Sequence, residues 1–227
     1  MDADPPTHGR KPDWYYACPR KEMLKYVPET SRTGLDVGCG EGLFGNTLKQ
    51  MSAGREVWGI EINPVAAAEA GHKIDKVLVG DVTAVLSGLP EGHFDCVVFN
   101  DILEHLVDPE SVLRNITRYL SDDGLVVCSI PNVRYFPVLF RLILRKEWRY
   151  VDNGVLDRTH LRFFTVKSIR EMFEALNYDM LAMDGINRMN TWRPKVASLL
   201  SLGLFADCRN KQYACVARPK SDGYGMK

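Results

Sequence analysis

Three groups of residues in this chain are spaced for chemistry. The first is a carboxylate set directly ahead of alternating glycines, Asp36-Val-Gly38-Cys39-Gly40-Glu-Gly42. Glycine takes positive φ at no steric cost and lets a ligand approach the backbone closely. The acid suits a cationic ligand better than the pyrophosphate held by the dinucleotide fingerprint G-x-G-x-x-G. The second is Glu61, 23 positions beyond Gly38 at the end of an apolar run. A carboxylate there can accept both hydroxyls of a ribose, a placement also used by NAD enzymes. The third is histidine, whose neutral imidazole can take a proton near neutral pH. His105 follows the apolar run Cys96–Phe99, and His160 lies in Asp157-Arg-Thr-His-Leu-Arg162.

The elements that must position these groups follow from hydrophobic periodicity. Leu35 and Val37 suit a buried strand, and Leu43, Phe44, Leu48 and Met51 share one helical face, so the first motif is strand, glycine turn, helix. Val57–Ile62 predicts the second strand, with Asn63 as N-cap and Pro64 in the first turn of the next helix. Lys76–Val82 is the third strand and its exit at Asp81. The continuous apolar run Cys96–Phe99 fits a central parallel strand buried on both faces, opening at Asn100-Asp101. Asp108-Pro109 begins a helix, and Leu125–Ile130 is the fifth strand. Five β–α units without repeat or linker predict one α/β, Rossmann-like, doubly wound domain. Beyond it, Tyr135–Trp148 and Val166–Leu176 read as helices, the latter capped by Thr165. Asp179–Met183 reads as the sixth strand, Trp192–Pro194 with Val196–Phe205 as an inserted helical segment, and Gln212–Ala217 as the seventh strand. The expected division is an arm over residues 1–13, one domain over 14–219 containing an insertion at 131–165, and a disordered tail over 220–227.

The 227 residues suffice for one substantial α/β domain, and 29 basic against 29 acidic residues argue against a nucleic-acid binder. There is no long apolar run for a membrane span and no apolar signal core in the polar, Pro-rich Met1–Asp13. Six scattered cysteines without a C-x-x-C pair give no zinc pattern, so no metal is expected, and reduced thiols in a cytoplasmic protein are.

The run Asp36-x-Gly-x-Gly-x-Gly42 on a first strand resembles motif I of the class I S-adenosylmethionine (SAM) dependent methyltransferases. Asn100-Asp-Ile-Leu-Glu-His105 resembles their fourth motif. The resemblance implies a seven-stranded sheet, mostly parallel with an antiparallel last strand and a helical lid after strand five. It implies SAM as methyl donor and S-adenosylhomocysteine as product. Asp36, Gly38, Cys39, Gly40, Gly42, Glu61 and Ile62 would then hold the donor, with Asp81 and Val82 at the adenine and Asn100, Asp101 and His105 nearby. Tyr16 and Arg20 would close over the donor's methionine end, Arg20 pairing with its carboxylate.

A narrower resemblance lies beyond strand five. Pro131-Asn-Val-Arg134, Trp148-x-Tyr150 and Asp152-x-Gly-x-Leu-Asp-Arg-Thr-His-Leu-Arg-Phe-Phe-Thr165 resemble a bacterial methyltransferase branch linked to surface-polysaccharide or other glycan assembly. This implies a small-molecule or glycan acceptor, a nucleotide-linked sugar among them, methylated on oxygen. His160 is then the preferred base, with Asp157 orienting it or binding the acceptor, and His105 the second candidate. Arg134, Tyr135, Trp148, Arg158, His160 and Arg162 would contact the acceptor. From Pro131 to Arg170 there are nine Lys or Arg against three acids, and from Val77 to Leu113 seven acids and no base. If the basic stretch overhangs the pocket it favours an anionic acceptor. The amphipathic Phe136–Trp148 suits a lid helix or, alternatively, a membrane surface. Competing readings are N- or C-methylation of a metabolite, a nicotinamide oxidoreductase disfavoured by Asp36, and a non-catalytic SAM-binding partner. A monomer and a homodimer are equally compatible.

Overall fold

The computed structural model describes residues 13–192, 196, 198, 199 and 201–220. Residues 1–12 of the expected arm, residues 221–227 of the expected tail and part of the inserted helical segment lie outside the described residues. Seven strands form one sheet in the order β3-β2-β1-β4-β5-β7-β6. They are β1 Thr33–Val37, β2 Glu56–Glu61, β3 Lys76–Val79, β4 Phe94–Asn100, β5 Leu120–Pro131, β6 Tyr178–Arg188 and β7 Asn210–Pro219. The pairs β1–β2, β2–β3, β1–β4 and β4–β5 are parallel, and β7 runs antiparallel to both β5 and β6. The expected mixed, doubly wound sheet is therefore present.

The chain leaves β1 toward β2 and β3, then returns to place β4 on the other side of β1. That reversal opens a crevice at the carboxyl ends of β1 and β4, the place where open α/β sheets take ligands. Alternation along β4 divides the core: Val97 and Phe99 join one hydrophobic cluster, Cys96 and Val98 the other. Cys96 and Cys128 are core residues, as their apolar surroundings suggested.

The helices are α1 Asp13–Tyr16, α2 Leu43–Met51, α3 Pro64–Ala70, α4 Val82–Val85, α5 Pro109–Ile116, α6 Phe136–Arg145 and α7 Val166–Ala175. Their starts are legible chemically. Asn63 accepts from the N–H groups of Val65 and Ala66, with Pro64 in the first turn. Thr165 and Ser168 form a reciprocal capping box. Arg55 is buried and donates to the carbonyls of Ser31, Leu48, Pro28 and Glu29 at 2.9–3.2 Å. It ties the loop before β1 to the end of α2, and nothing in its surrounding sequence announces this.

Several boundaries differ from expectation. β5 begins at Leu120, the ladder with β4 shifting register between Phe94 and Cys96. β6 runs on to Arg188 because it keeps pairing with β7 as far as Asn210. α6 stops at Arg145, where Lys146 turns left-handed at φ 55°, so Trp148 and Tyr150 lie outside it. Ser201–Phe205 is a series of turns rather than helix. No helix among the described residues is long and apolar enough to cross a membrane.

Candidate active site

A cavity of about 650 Å³ opens at the crevice between β1 and β4. Its floor is the glycine turn. Gly38 and Cys39 donate their N–H groups to the Ile60 carbonyl at 2.8 and 3.1 Å, which fixes the turn to β2. Gly38, Gly40 and Gly42 have φ of 74°, 53° and 76°. At Gly40 a Cβ would drive into the Tyr16 carbonyl oxygen, which also accepts the Glu41 N–H at 3.0 Å. The turn thus needs glycine both for its backbone and for the segment lying across it.

Glu61 is 5 % exposed and braces this floor. One carboxylate oxygen accepts the Gly40 N–H at 2.9 Å, the other the Asn63 N–H at 2.8 Å. Asp36, 2 % exposed, keeps Oδ1 without a hydrogen-bond partner. Burial, and secondarily the neighbouring Glu61 charge, pushes its carboxyl up to about 8. Both amide atoms of Asn100 are likewise buried without partners at the cavity wall. Buried polar atoms are seldom left so, and here they line a space of ligand size. Asp81 caps α4, accepting from the Thr83 N–H and hydroxyl at 2.8 and 2.5 Å, and together with Ile62 and Val82 it borders the cavity. Cys39 contributes backbone, because its thiol packs on Gly59 within the core. Gly42 serves as the N-cap of α2 and is not among the lining residues.

The N-terminal segment closes one side. Tyr15, Tyr16 and Arg20 all line the cavity. Arg20 pairs with Asp101, donates to the Ser129 hydroxyl at 3.0 Å and lies 3.0 Å from a Glu22 carboxylate oxygen. Asp101 itself is left-handed at φ 56° and accepts from Ser129 and Gln212 at 2.7 Å each.

At the other end, Glu104, His105, Asp157 and His160 come together. The loop after α6 is docked on the 3-10 turn Leu103–His105, since the Leu161 and Arg162 N–H groups donate to the Glu104 carbonyl at 2.8 and 3.0 Å. His105 Nδ1 lies 3.2 Å from both the carbonyl and the hydroxyl of Thr159, and its Nε2 lies 3.4 Å from the Tyr15 hydroxyl. His160 Nδ1 lies 3.0 Å from the Val155 carbonyl and its Nε2 3.9 Å from Glu104. The two imidazoles stack edge to face at 4.7 Å. The Val155 carbonyl is thus a partner of His160, and Asp157 Oδ1 accepts the Thr159 N–H at 2.9 Å and its hydroxyl at 2.8 Å. Burial, then the Asp101 charge, holds the Glu104 carboxyl well above the usual carboxylate range. Burial, then the Glu104 charge, raises the Tyr15 phenol.

The remaining expected acceptor contacts lie away from the cavity. Arg134 donates to Asp207 and to the Leu204 carbonyl, Arg158 pairs with Asp152, and Arg162 donates to the Val107 carbonyl. Tyr135 packs with Val138, Val155 and Leu156, and Trp148 stacks on Tyr150 and Phe163. The helix α6 does not roof the cavity; the loop Asn153–His160 closes it, while Phe136, Phe140 and Arg141 line a second groove with Met189–Trp192. Seven carboxyl groups line the main cavity; with Asp36 and Glu104 held neutral by burial, the other five still outnumber Arg20 and Lys211, so its field favours a cation rather than an anion. Asn187, Lys211 and Gln212 were missed in the sequence; they reach the site because β6 and β7 run further than their apolar cores suggest.

The comparisons with known proteins bear on the family and the fold. A family model described as "Methyltransferase domain" matches residues 15–183. A probable S-adenosylmethionine-dependent methyltransferase of Mycobacterium tuberculosis is 33% identical over 103 residues, 45% of this chain and 37% of the relative, so the match spans well under half of that protein. A ubiquinone biosynthesis O-methyltransferase of Vibrio campbellii is 27% identical over 179 residues, 72% of this chain and 73% of the relative. Among solved structures, a SAM-dependent methyltransferase from Archaeoglobus fulgidus superposes with a TM-score of 0.67 at 19% identity, covering 90% of this chain and 93% of that one.

Proposed function

This chain belongs to the methyltransferase domain family, and from that premise we propose that it transfers a methyl group from SAM to a hydroxyl oxygen of an uncharged, polyhydroxylated acceptor such as a sugar. When bound, SAM supplies a methyl group already activated on a sulfonium. The residues fit that donor. Glu61 can accept ribose hydroxyls with the lone pairs that its two backbone hydrogen bonds leave over. Ile62, Asp81 and Val82 offer an apolar edge and an acceptor for the adenine. The ionised carboxylates of the lining favour a net positive ligand, and the unpartnered amide of Asn100 offers it both a donor and an acceptor.

The observation that carries the proposal is one cavity with two chemically distinct ends. The Glu61 end can grip a nucleoside, and the Glu104–His105–Asp157–His160 end can grip a hydroxyl and handle its proton. Holding two reactants in contact away from water can be worth about 7–11 kcal/mol. Uncharged acceptors are favoured because Arg134, Arg158 and Arg162 are engaged elsewhere and the lining is acidic. The O-methyltransferase named among the relatives supports oxygen as the methylated atom. A hydroxyl of an intermediate in ubiquinone biosynthesis is the second reading, favoured by the name of that same relative. Calorimetric titration with S-adenosylhomocysteine tests the donor half. One molecule bound per chain is expected, and preferential binding of NAD would overturn it.

A further inference from the structure

We propose that Glu104, His105 and His160 bind one divalent transition-metal cation at the acceptor end of the cavity. Each residue offers a ligand atom, and these atoms all lie within 4.8 Å of one another. They come from two separate segments, the 3-10 turn after β4 and the loop after α6, which the Leu161 and Arg162 N–H groups lock together on the Glu104 carbonyl. The convergence is therefore built, not incidental to one loop.

Two further observations point to a ligand. The Glu104 side chain is 1 % exposed, and neither carboxylate oxygen has a hydrogen-bond partner. A buried carboxylate with both oxygens unsatisfied calls for a cation or a donor that the chain itself does not supply. Each imidazole also sets its Nδ1 against a backbone carbonyl, Thr159 for His105 at 3.2 Å and Val155 for His160 at 3.0 Å. Metal-ligating histidines characteristically donate their second ring N–H in this way, which fixes the tautomer and makes Nε2 the electron-pair donor; at His105 that nitrogen lies 3.4 Å from the Tyr15 hydroxyl. His160 Nε2 already faces Glu104 Oε1 at 3.9 Å. With bonds of about 2.0–2.2 Å, side-chain rotations of about 1 Å would close the set.

Two imidazoles and one carboxylate suit zinc, manganese, iron or cobalt better than magnesium or calcium, which prefer all-oxygen ligands. Three protein ligands would leave a coordination position open, and all three residues line the cavity. The proposal goes beyond methyl transfer as such, and its role in that reaction rests on the reading above. A cation here would draw in the acceptor hydroxyl and ease loss of its proton to solvent. The O–CH₃ bond then forms as the S–CH₃ bond breaks, its electron pair staying on sulfur as neutral thioether.

The test is metal binding by the untagged full chain, stripped with chelator. Co²⁺ is followed by its visible absorption, Zn²⁺ by calorimetry, and S-adenosylhomocysteine binding is measured in parallel. One ion per chain is expected, with Glu104→Gln and His160→Gln each weakening it at least tenfold, and His72→Gln, on the exposed surface, leaving it unchanged. Retained nucleoside binding shows that the variants are folded, and His160→Gln decides alone should Glu104→Gln fail to fold. No stoichiometric binding, or binding indifferent to both substitutions, overturns the site. Ion binding without any nucleoside binding would uphold the metal site while refuting the donor assignment.

Discussion

Replacing Glu61 by glutamine keeps the length of the side chain and removes half of its accepting capacity. In the structure its two oxygens accept the Gly40 and Asn63 N–H groups at 2.9 and 2.8 Å. A glutamine can accept only one of these; its amide nitrogen would face the other N–H, so the brace between the glycine turn and α3 is broken on one side. On the proposed donor assignment, the same substitution also costs SAM a charge-assisted ribose hydrogen bond. One hydrogen bond to a charged group is worth about 1.5–3 kcal/mol, or about ten- to 150-fold in Kd. Titration calorimetry with S-adenosylhomocysteine on wild type and Glu61→Gln, checked by thermal melts, should show that loss. An affinity within twofold of wild type in a folded variant would refute the assignment of Glu61 to the ribose.

Three other perturbations probe the same floor and its supports. The Asp36 carboxyl, raised from an ordinary 3.8 to about 8, stabilises the fold in its neutral form. That contribution is fully present below the ordinary value and is lost as pH rises through the raised one. Urea denaturation should therefore show wild type losing about 2 kcal/mol between about pH 6 and 8 relative to Asp36→Asn, and parallel curves would contradict the burial argument. Gly40→Ala should displace the segment carrying Tyr16, because the new Cβ meets the Tyr16 carbonyl at a left-handed φ of 53°. Calorimetry should show at least tenfold weaker nucleoside binding and denaturation about 1–3 kcal/mol of lost stability. Arg55→Met would strip several buried carbonyls of their donor and should cost about 3 kcal/mol, a Tm drop of about 6–12 °C by scanning calorimetry, without changing the donor contacts.

What was legible in the sequence was what is encoded locally. The glycine turn, Glu61 at the tip of β2, the Asn63 and Thr165 caps and the apolar run of β4 are short-range signals, and each stands where its residues suggested. Charge counting failed beyond strand five because it cannot see partners. Arg134 is neutralised by Asp207 and Arg158 by Asp152, so the basic stretch does not electrify the cavity. The sequence likewise could not show that His105 and His160, 55 positions apart, stack at 4.7 Å, nor that Glu104 lies buried beside them. Those facts depend on a loop docking through backbone hydrogen bonds, which any side-chain pattern permits. The expectation that no metal is involved rested on cysteine spacing and had no view of a carboxylate–imidazole cluster assembled in space.

The central claim is methyl transfer at this cavity, and the most direct measurement is transfer of a labelled methyl group from SAM into separated acceptor pools. These are nucleotide sugars and glycan lipids, phenols and quinols, and amines. Label in a hydroxyl-bearing pool, abolished by Glu61→Ala, is the expected result. Label confined to amines would contradict the oxygen acceptor. Nucleoside binding with no transfer into any pool would contradict the enzymatic reading itself.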